Sequence, residues 1–205
     1  MSVDVPSPID LRVMADARQW ADTALAKRPC RTEFFDRFLQ ELLSVSPRPR
    51  RVLELGSGPG FLAEHILCRW PDELAYVALD FSPAMHQLAQ ERLGVLARSV
   101  KFIERNFKDP AWTVGLGSFD AVLTNQAVHE LRHKRHAPDL HAQAHSVLMP
   151  DGPYLVCDHF AGGDGMKDQN LYMSVAEQSL ALEAAGFKRI RRVHVAGGMA
   201  LYCAT

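Results

Sequence analysis

The sequence predicts an α/β protein: a single doubly wound domain with a mostly parallel seven-stranded sheet, a C-terminal antiparallel hairpin, and N-terminal helices placed as a possible lid. Three observations predict it. A short apolar run, residues 51–55, ends in glycines at alternate positions, Gly56-x-Gly58-x-Gly60, before an apolar-periodic run over residues 61–70. Strand and helix patterns then alternate over residues 74–158, which calls for right-handed β-α-β units and a parallel sheet covered on both faces. Finally, two strand-like runs flank Gly197-Gly198, and a turn that tight joins antiparallel neighbours.

Composition bounds the function. The 205 residues, 47% of them hydrophobic, suffice for one well-filled domain. Basic and acidic residues nearly cancel, 23 against 24 for a formal net charge of -1, so no overall field draws the chain to nucleic acid or to an anionic membrane. The basic runs at residues 48–51, 132–135 and 188–192 read as solvated faces. Cys30, Cys68, Cys157 and Cys203 show no C-x-x-C spacing and read as buried, reduced thiols of a cytoplasmic protein. No apolar run approaches membrane-spanning length, and the first residues lack a basic segment followed by an apolar core, so a soluble, unsecreted protein is expected.

Taken in order, residues 11–43 read as helix broken near Pro29, with Trp20, Leu25, Phe34, Phe35, Phe38, Leu39, Leu42 and Leu43 on the apolar face and Thr32 capping the second half. Met14, Arg18 and Trp20 are expected to fold over the sheet's crevice. A proline-containing linker, residues 46–50, leads into the first strand. Residues 74–79 form a second strand ending at Asp80, and Ser82-Pro83 opens a helix to Leu93. Further strands are expected at 100–104 and 119–124, a helix at 137–148, a turn at Pro150-Asp151-Gly152, and a strand at 154–158. A helix at 177–186 precedes the final strands, 187–195 and 199–203. Residues 160–173, rich in Gly and Asp, read either as a mobile flap or as an ordinary loop.

Ligands of such sheets bind beyond the carboxyl ends of the strands. Those ends carry Glu54 to Gly60, Asp80-Phe81-Ser82, Asn106-Phe107, Asn125-Gln126 and Asp158-His159. Glycines suit the first end because the backbone there must adopt positive φ and approach a ligand with no Cβ in the way. The dinucleotide pattern G-x-G-x-x-G fails, since Phe61 stands where its last glycine belongs. Glu54, two residues before the first glycine, suits a ligand carrying positive charge. Asp80 lies 20 residues after Gly60, where a carboxylate accepts from two ribose hydroxyls or else only caps the next helix.

Glu54-x-Gly56-x-Gly58-x-Gly60, Asp80 at the end of the second strand, and Ala185-Gly186-Phe187 entering the terminal hairpin together resemble the class I S-adenosylmethionine-dependent methyltransferases, over residues 48–205. The resemblance implies S-adenosyl-L-methionine as cofactor. Gly56, Ser57, Gly58 and Gly60 would approach its methionine and ribose parts, with Glu54 ordering the loop, Asp80 on the ribose hydroxyls and Phe81 against the adenine. Asn106, followed by Phe107, stands where the family most often has an acid accepting from the adenine amino group; an amide still offers its carbonyl oxygen. Asn125 and Gln126 take the place that meets the methionine end and the entering substrate. The resemblance divides the chain into a helical cap, 1–47, and a methyltransferase domain, 48–205. It implies methyl transfer to an oxygen or nitrogen of a small-molecule acceptor held between the N-terminal helices and residues 160–173. A nicotinamide-dependent oxidoreductase and a noncatalytic cofactor- or partner-binding subunit are the alternatives.

His129-Glu130-Leu131-Arg132-His133 matches H-E-x-x-H, in which two histidines one helical turn apart bind zinc. The match starts just after a buried parallel strand in a histidine-rich stretch, so no metal is expected. Instead His129 should face the crevice, with Glu130 to His136 largely solvated. His129 and His159 are the catalytic candidates: a neutral imidazole with a pKa of about 6.5 accepts a proton at neutral pH, and Asp158 can orient the substrate. His129 is the favoured base. The alternative is that both rings only line the pocket.

Overall fold

The computed structural model describes residues 3–205. Its strands are β1 (Arg51–Leu55), β2 (Ala75–Asp80), β3 (Val100–Glu104), β4 (Ala121–Asn125), β5 (Tyr154–His159), β6 (Ile190–Ala196) and β7 (Met199–Ala204). Its helices are α1 (Met14–Lys27), α2 (Arg31–Ser44), α3 (Phe61–Leu67), α4 (Pro83–Leu93), α5 (Ala137–Ser146) and α6 (Val175–Ala184). The sheet has seven strands in the order β3-β2-β1-β4-β5-β7-β6. β1 with β2, β2 with β3 and β4 with β5 pair parallel, whereas β7 is antiparallel to both of its neighbours. The expected doubly wound sheet with a terminal hairpin is the one found. The chain forms two compact units, Ile9–Trp112 and Thr113–Thr205, the second also holding the described residues before Ile9.

In the first unit Val52, Leu53 and Leu55 are wholly buried, because a parallel strand has both faces covered and leaves no polar alternation. Ser82 caps α4 as expected, its Oγ accepting from the Met85 N–H at 3.0 Å with Pro83 in the first turn. The same hydroxyl donates to the Leu11 carbonyl at 2.5 Å, which brings the segment before α1 to the end of β2. Helix α1 itself runs against α4. Met14 and Trp20 pack on Ala84, Met85 and Leu88, and Arg18 pairs with Glu91 at 2.9 Å. Phe34, Phe35, Phe38, Leu39 and Leu42 form the buried face of α2. Two residues expected on the apolar face are exposed instead, Leu25 on α1 and Leu43 on α2. Thr32 is no cap either: it lies inside α2 and its hydroxyl donates back to the Pro29 carbonyl at 3.3 Å.

In the second unit the capping box Ser174/Glu177 opens α6 two residues before the expected start, because the serine accepts from the Glu177 N–H while the Glu177 carboxylate accepts from the Ser174 N–H. The cysteines are thiols, but the expectation that all are buried fails. Cys157 on β5 is buried, Cys30 and Cys203 are partly covered, and Cys68 at the end of α3 is exposed. No helix among the described residues is long and apolar enough to cross a membrane.

A buried polar contact stitches α5, β5 and α6 together. The fully buried His141 ring has Nδ1 3.1 Å from the Tyr154 hydroxyl and Nε2 3.0 Å from the Gln178 amide. One nitrogen of a neutral imidazole donates and the other accepts, and a hydroxyl and an amide can serve either role. Burial drives the His141 pKa down to about 3, the Asp158 charge opposing weakly. Between that value and 6.5 the unfolded chain binds a proton that the folded chain refuses, so stability falls as pH drops through this window. The expected slope from this group is about 1.4 kcal/mol per pH unit. Urea melts of wild type and His141→Asn from pH 7 to 5 should show that the variant, whatever its absolute stability, has lost this component of the slope.

Candidate active site

The turn after β1 is a concave backbone cradle. Gly56, Gly58 and Gly60 have φ of 65°, 54° and 81°, in the left-handed region that costs other residues about 1–2 kcal/mol. Gly60 is needed for packing as well, since a Cβ there would come 3.1 Å from the Ala89 Cβ. At Gly58 a Cβ would meet nothing within 4 Å, so this glycine opens onto space that a ligand can fill. The turn is tied down on the β2 side: the Gly56 and Ser57 N–H groups donate to the Leu79 carbonyl at 2.8 and 3.1 Å. Arg92 closes it from α4, donating to the Pro59 carbonyl at 3.0 Å while its guanidinium stacks 3.9 Å over the Phe61 ring.

Two buried carboxylates flank the cradle. Asp80 accepts from the Gly58 N–H at 2.8 Å through one oxygen and from the Ser82 N–H at 2.9 Å through the other. It therefore fixes the glycine turn in addition to standing where a ribose is expected. Glu54 does not end its strand; it sits one residue inside, 2% exposed, and accepts from the Tyr76 hydroxyl at 2.7 Å. Burial lifts its pKa to about 8, with the tyrosine hydrogen bond opposing and the Asp80 charge assisting. The Ser57 hydroxyl is buried with no hydrogen-bond partner among the described residues. An open glycine, an orphaned hydroxyl and a carboxyl group that ionises when a cation arrives fit S-adenosylmethionine. Phe81 is half-buried, Phe107 is buried, and Asn106 is exposed with its amide oxygen accepting from the Lys108 N–H at 2.9 Å. Its expected contact to an adenine would therefore share that oxygen with a local turn.

The ends of β4 and β5 build a second cluster. Gln126 holds a positive φ of 57°, its N–H donates to the Cys157 carbonyl at 2.7 Å, and its side-chain amide touches the Met199 sulfur. The Asn125 amide oxygen is buried without a partner among the described residues. Asp158 receives three hydrogen bonds: from the His129 N–H at 2.8 Å, from His129 Nδ1 at 2.7 Å and from the His159 N–H at 2.7 Å. Glu130 lies 3.4 Å from the other ring nitrogen of His129 and 3.5 Å from the Arg132 guanidinium. Arg132 also donates to the Val5 and Pro6 carbonyls at 2.9 and 2.7 Å.

This geometry sets the charge that His129 is expected to carry. Asp158 at 2.7 Å from one ring nitrogen and Glu130 at 3.4 Å from the other both favour the imidazolium, the form that has no lone pair to offer. Burial pushes the other way, but Asp158 and then Glu130 outweigh it and raise the His129 pKa to about 10. The Asp158 carboxyl is correspondingly held below its ordinary value, against its burial. Nor are residues 130–136 largely solvated: Leu131, Arg132 and His133 are buried. The H-E-x-x-H match does not lie on one helix, because a 3-10 turn over Val128–Leu131 ends at Arg132 with φ 68°, and His133 turns to accept from the Arg135 N–H. Residues 160–173 are an ordered loop, bound by the Ala161 N–H to the Met173 carbonyl, Met166 to Phe160 and Lys134 to Asn170.

Sequence reasoning gave no partner to Tyr76, Glu130 or Arg132, and placed Tyr172 only within the segment 160–173 expected to border the acceptor. Tyr76 had a signal: a tyrosine inside an aliphatic buried strand needs a partner for its hydroxyl. The other three depend on side chains meeting across the fold, which spacing alone does not encode.

Residues 52–152 match a family described as methyltransferase domain. A malonyl-[acyl-carrier protein] O-methyltransferase of Laribacter hongkongensis is 30% identical over 174 residues, covering 76% of this chain and 56% of that protein. A trans-aconitate 2-methyltransferase of Rhodococcus jostii is 52% identical over 54 residues, 25% of this chain and 21% of that one. The chain covers 33%, 56% and 27% of three malonyl-[acyl-carrier protein] O-methyltransferases that it matches, less than two thirds of each. Among solved structures, an O-methyltransferase family protein from Burkholderia thailandensis superimposes with a TM-score of 0.73 at 19% identity, over 93% of this chain and 59% of that one. DhpI in complex with SAH gives a TM-score of 0.70 at 22% identity over 94% of both chains. Residues 52–152 thus form an S-adenosylmethionine-dependent methyltransferase domain, on a sheet of the α/β methyltransferase fold.

Two outcomes test the cradle. Gly58→Ala meets no clash but takes on the strain of a left-handed φ, so it should fold with a stability lower by about 1–2 kcal/mol and lose on the order of tenfold in S-adenosylmethionine affinity by calorimetry, because a side chain now stands where the ligand approaches. A cationic ligand favours charged Glu54 and lowers its pKa on binding, so binding should release a proton between that lowered value and about 8. S-adenosylmethionine affinity should therefore rise with pH up to that value, by as much as about tenfold per unit, and Glu54→Gln should lose this dependence.

Proposed function

We propose that this chain moves a methyl group from S-adenosylmethionine to an oxygen of a small-molecule acceptor, and that this oxygen belongs to a carboxylate. The observation that carries the reading is His129, whose ring nitrogens face carboxylates 2.7 and 3.4 Å away. A ring so placed cannot take a proton from the acceptor. A hydroxyl or ammonium nucleophile must lose a proton in transfer, whereas a carboxylate arrives already ionised at neutral pH. The names of two relatives support the choice, since malonyl thioesters and trans-aconitate both carry free carboxylates.

When bound, the cofactor supplies a methyl group on a positively charged sulfur. The chain's task is then to bind, orient and exclude water. In this reading Glu54, Gly56, Ser57, Gly58, Gly60, Asp80, Phe81, Asn106, Phe107, Asn125 and Gln126 serve the cofactor. Asp158 locks His129 in place, and the charged ring offsets the negative charge that a carboxylate acceptor brings beside Asp158 and Glu130. His159 faces the acceptor without acting as an obligatory base. The narrower reading replaces the expectation of either oxygen or nitrogen.

The test is turnover of methyl-radiolabelled S-adenosylmethionine against a panel of carboxylic acids that includes trans-aconitate and a malonyl thioester, with phenols and amines alongside. A methyl ester releases its label as methanol in mild base, while ethers and methylamines keep it. Base-labile product is expected, with a rate that shows no histidine limb near pH 6.5. Label that survives base treatment, or turnover confined to the phenols and amines, refutes the carboxylate.

A further inference from the structure

The chain has four tyrosines, and three have their hydroxyls bonded inside the protein: Tyr76 to Glu54, Tyr154 to His141 and Tyr202 to the Val175 carbonyl. The fourth, Tyr172, is half-buried and gives its hydroxyl no hydrogen-bond partner among the described residues. Leu171 and Met173 on either side are each 8% exposed, and the Tyr172 N–H donates to the Asp168 carbonyl at 3.1 Å. The Met173 and Asn170 carbonyls accept from Ala161 and Lys134 at 2.9 and 2.8 Å. The phenol is thus packed in place.

Its neighbours are the two histidines at the ends of β4 and β5. The Tyr172 ring lies 5.5 Å from His129 and 5.8 Å from His159, and those two rings lie 5.6 Å from each other, centroid to centroid. At these separations the rings touch, so they form one continuous wall of three rings. The charged groups near the wall are largely answered by one another: Asp158 by His129 and two backbone N–H groups, and Glu130 by His129 and Arg132. The Tyr172 hydroxyl is a donor on this wall that the protein leaves open. It stays protonated, because burial and the Asp158 charge both raise its pKa above the ordinary tyrosine value. A fixed, neutral O–H with no internal acceptor suits an incoming acceptor oxygen.

We propose that Tyr172 is an acceptor-contacting residue, its phenol O–H donating to a carboxylate oxygen of a small organic acid seated against the His129–His159–Tyr172 wall. The assignment rests on the carboxylate reading above for the kind of acceptor, and on the wall for the residue. It makes the loop over residues 160–173 a specificity element, which delivers one hydroxyl from between two buried anchors.

The experiment titrates the same carboxylic acid panel into protein saturated with S-adenosylhomocysteine, for wild type and Tyr172→Phe. Phenylalanine keeps the ring and its packing on both imidazoles, so the melting temperature and the S-adenosylhomocysteine affinity should not change. Wild type should bind at least one acid of the panel, and Tyr172→Phe should bind it on the order of tenfold more weakly. Equal binding by the two proteins, with wild type binding, overturns Tyr172 and leaves the carboxylate reading standing. Wild type that binds no carboxylate overturns the carboxylate reading, and the role given to Tyr172 falls with it. A Tyr172→Phe protein that also loses S-adenosylhomocysteine affinity or thermal stability assigns the hydroxyl a structural role and overturns the proposal.

Discussion

A carboxylate buried at the end of a parallel strand must have its charge answered by hydrogen-bond donors, and the cluster in each unit is built on that requirement. At the end of β2 the donors are the Gly58 and Ser82 N–H groups, so satisfying Asp80 shapes the glycine turn and starts α4 in one step. At the end of β5 they are the His129 and His159 N–H groups and the His129 ring, so satisfying Asp158 fixes the chain after β4 and the charge state of its histidine. Removing either acid leaves several donors without an acceptor, which is why each serves fold and site together.

The legible part of the molecule is the part whose physics is local. Glycines at alternate positions after an apolar run force one kind of turn, Ser82-Pro83 opens a helix by its own chemistry, and Gly197-Gly198 allows only a tight hairpin. Each of these could be read within a few residues, and each stands where expected. Thr32 failed for the converse reason. A threonine before an apolar run can cap a helix, but the backbone at Cys30 is already helical, so the helix had begun before the cap was reached.

What was not legible depends on distant residues meeting. His129 looks like a base in the sequence because nothing beside it in the chain reveals that Asp158, 29 positions later, donates no proton and demands one. The neighbour that could have been weighed, Glu130, was read as solvated because it opens a polar, histidine-rich run. Arg132 drew it inward. The arginine is buried by its bonds to the Val5 and Pro6 carbonyls, and its guanidinium stands 3.5 Å from the Glu130 carboxylate, on the side away from His129. The charged row Asp158–His129–Glu130–Arg132 thus alternates in sign, and each member keeps the next from being an unpaired buried ion.

That alternation bears on the chemistry. A catalytic base must be able to exist in both protonation states at working pH, so evolution of a base favours one strong partner and one open nitrogen. His129 has two partners and no open nitrogen, an arrangement that holds charge constant. Constant charge suits the acceptor proposed above, which would change its own charge during transfer, from carboxylate to neutral ester, and need no proton moved. On that proposal the positive ring would favour the ionised acceptor on arrival and lose that attraction once the ester had formed, which would assist release of the product.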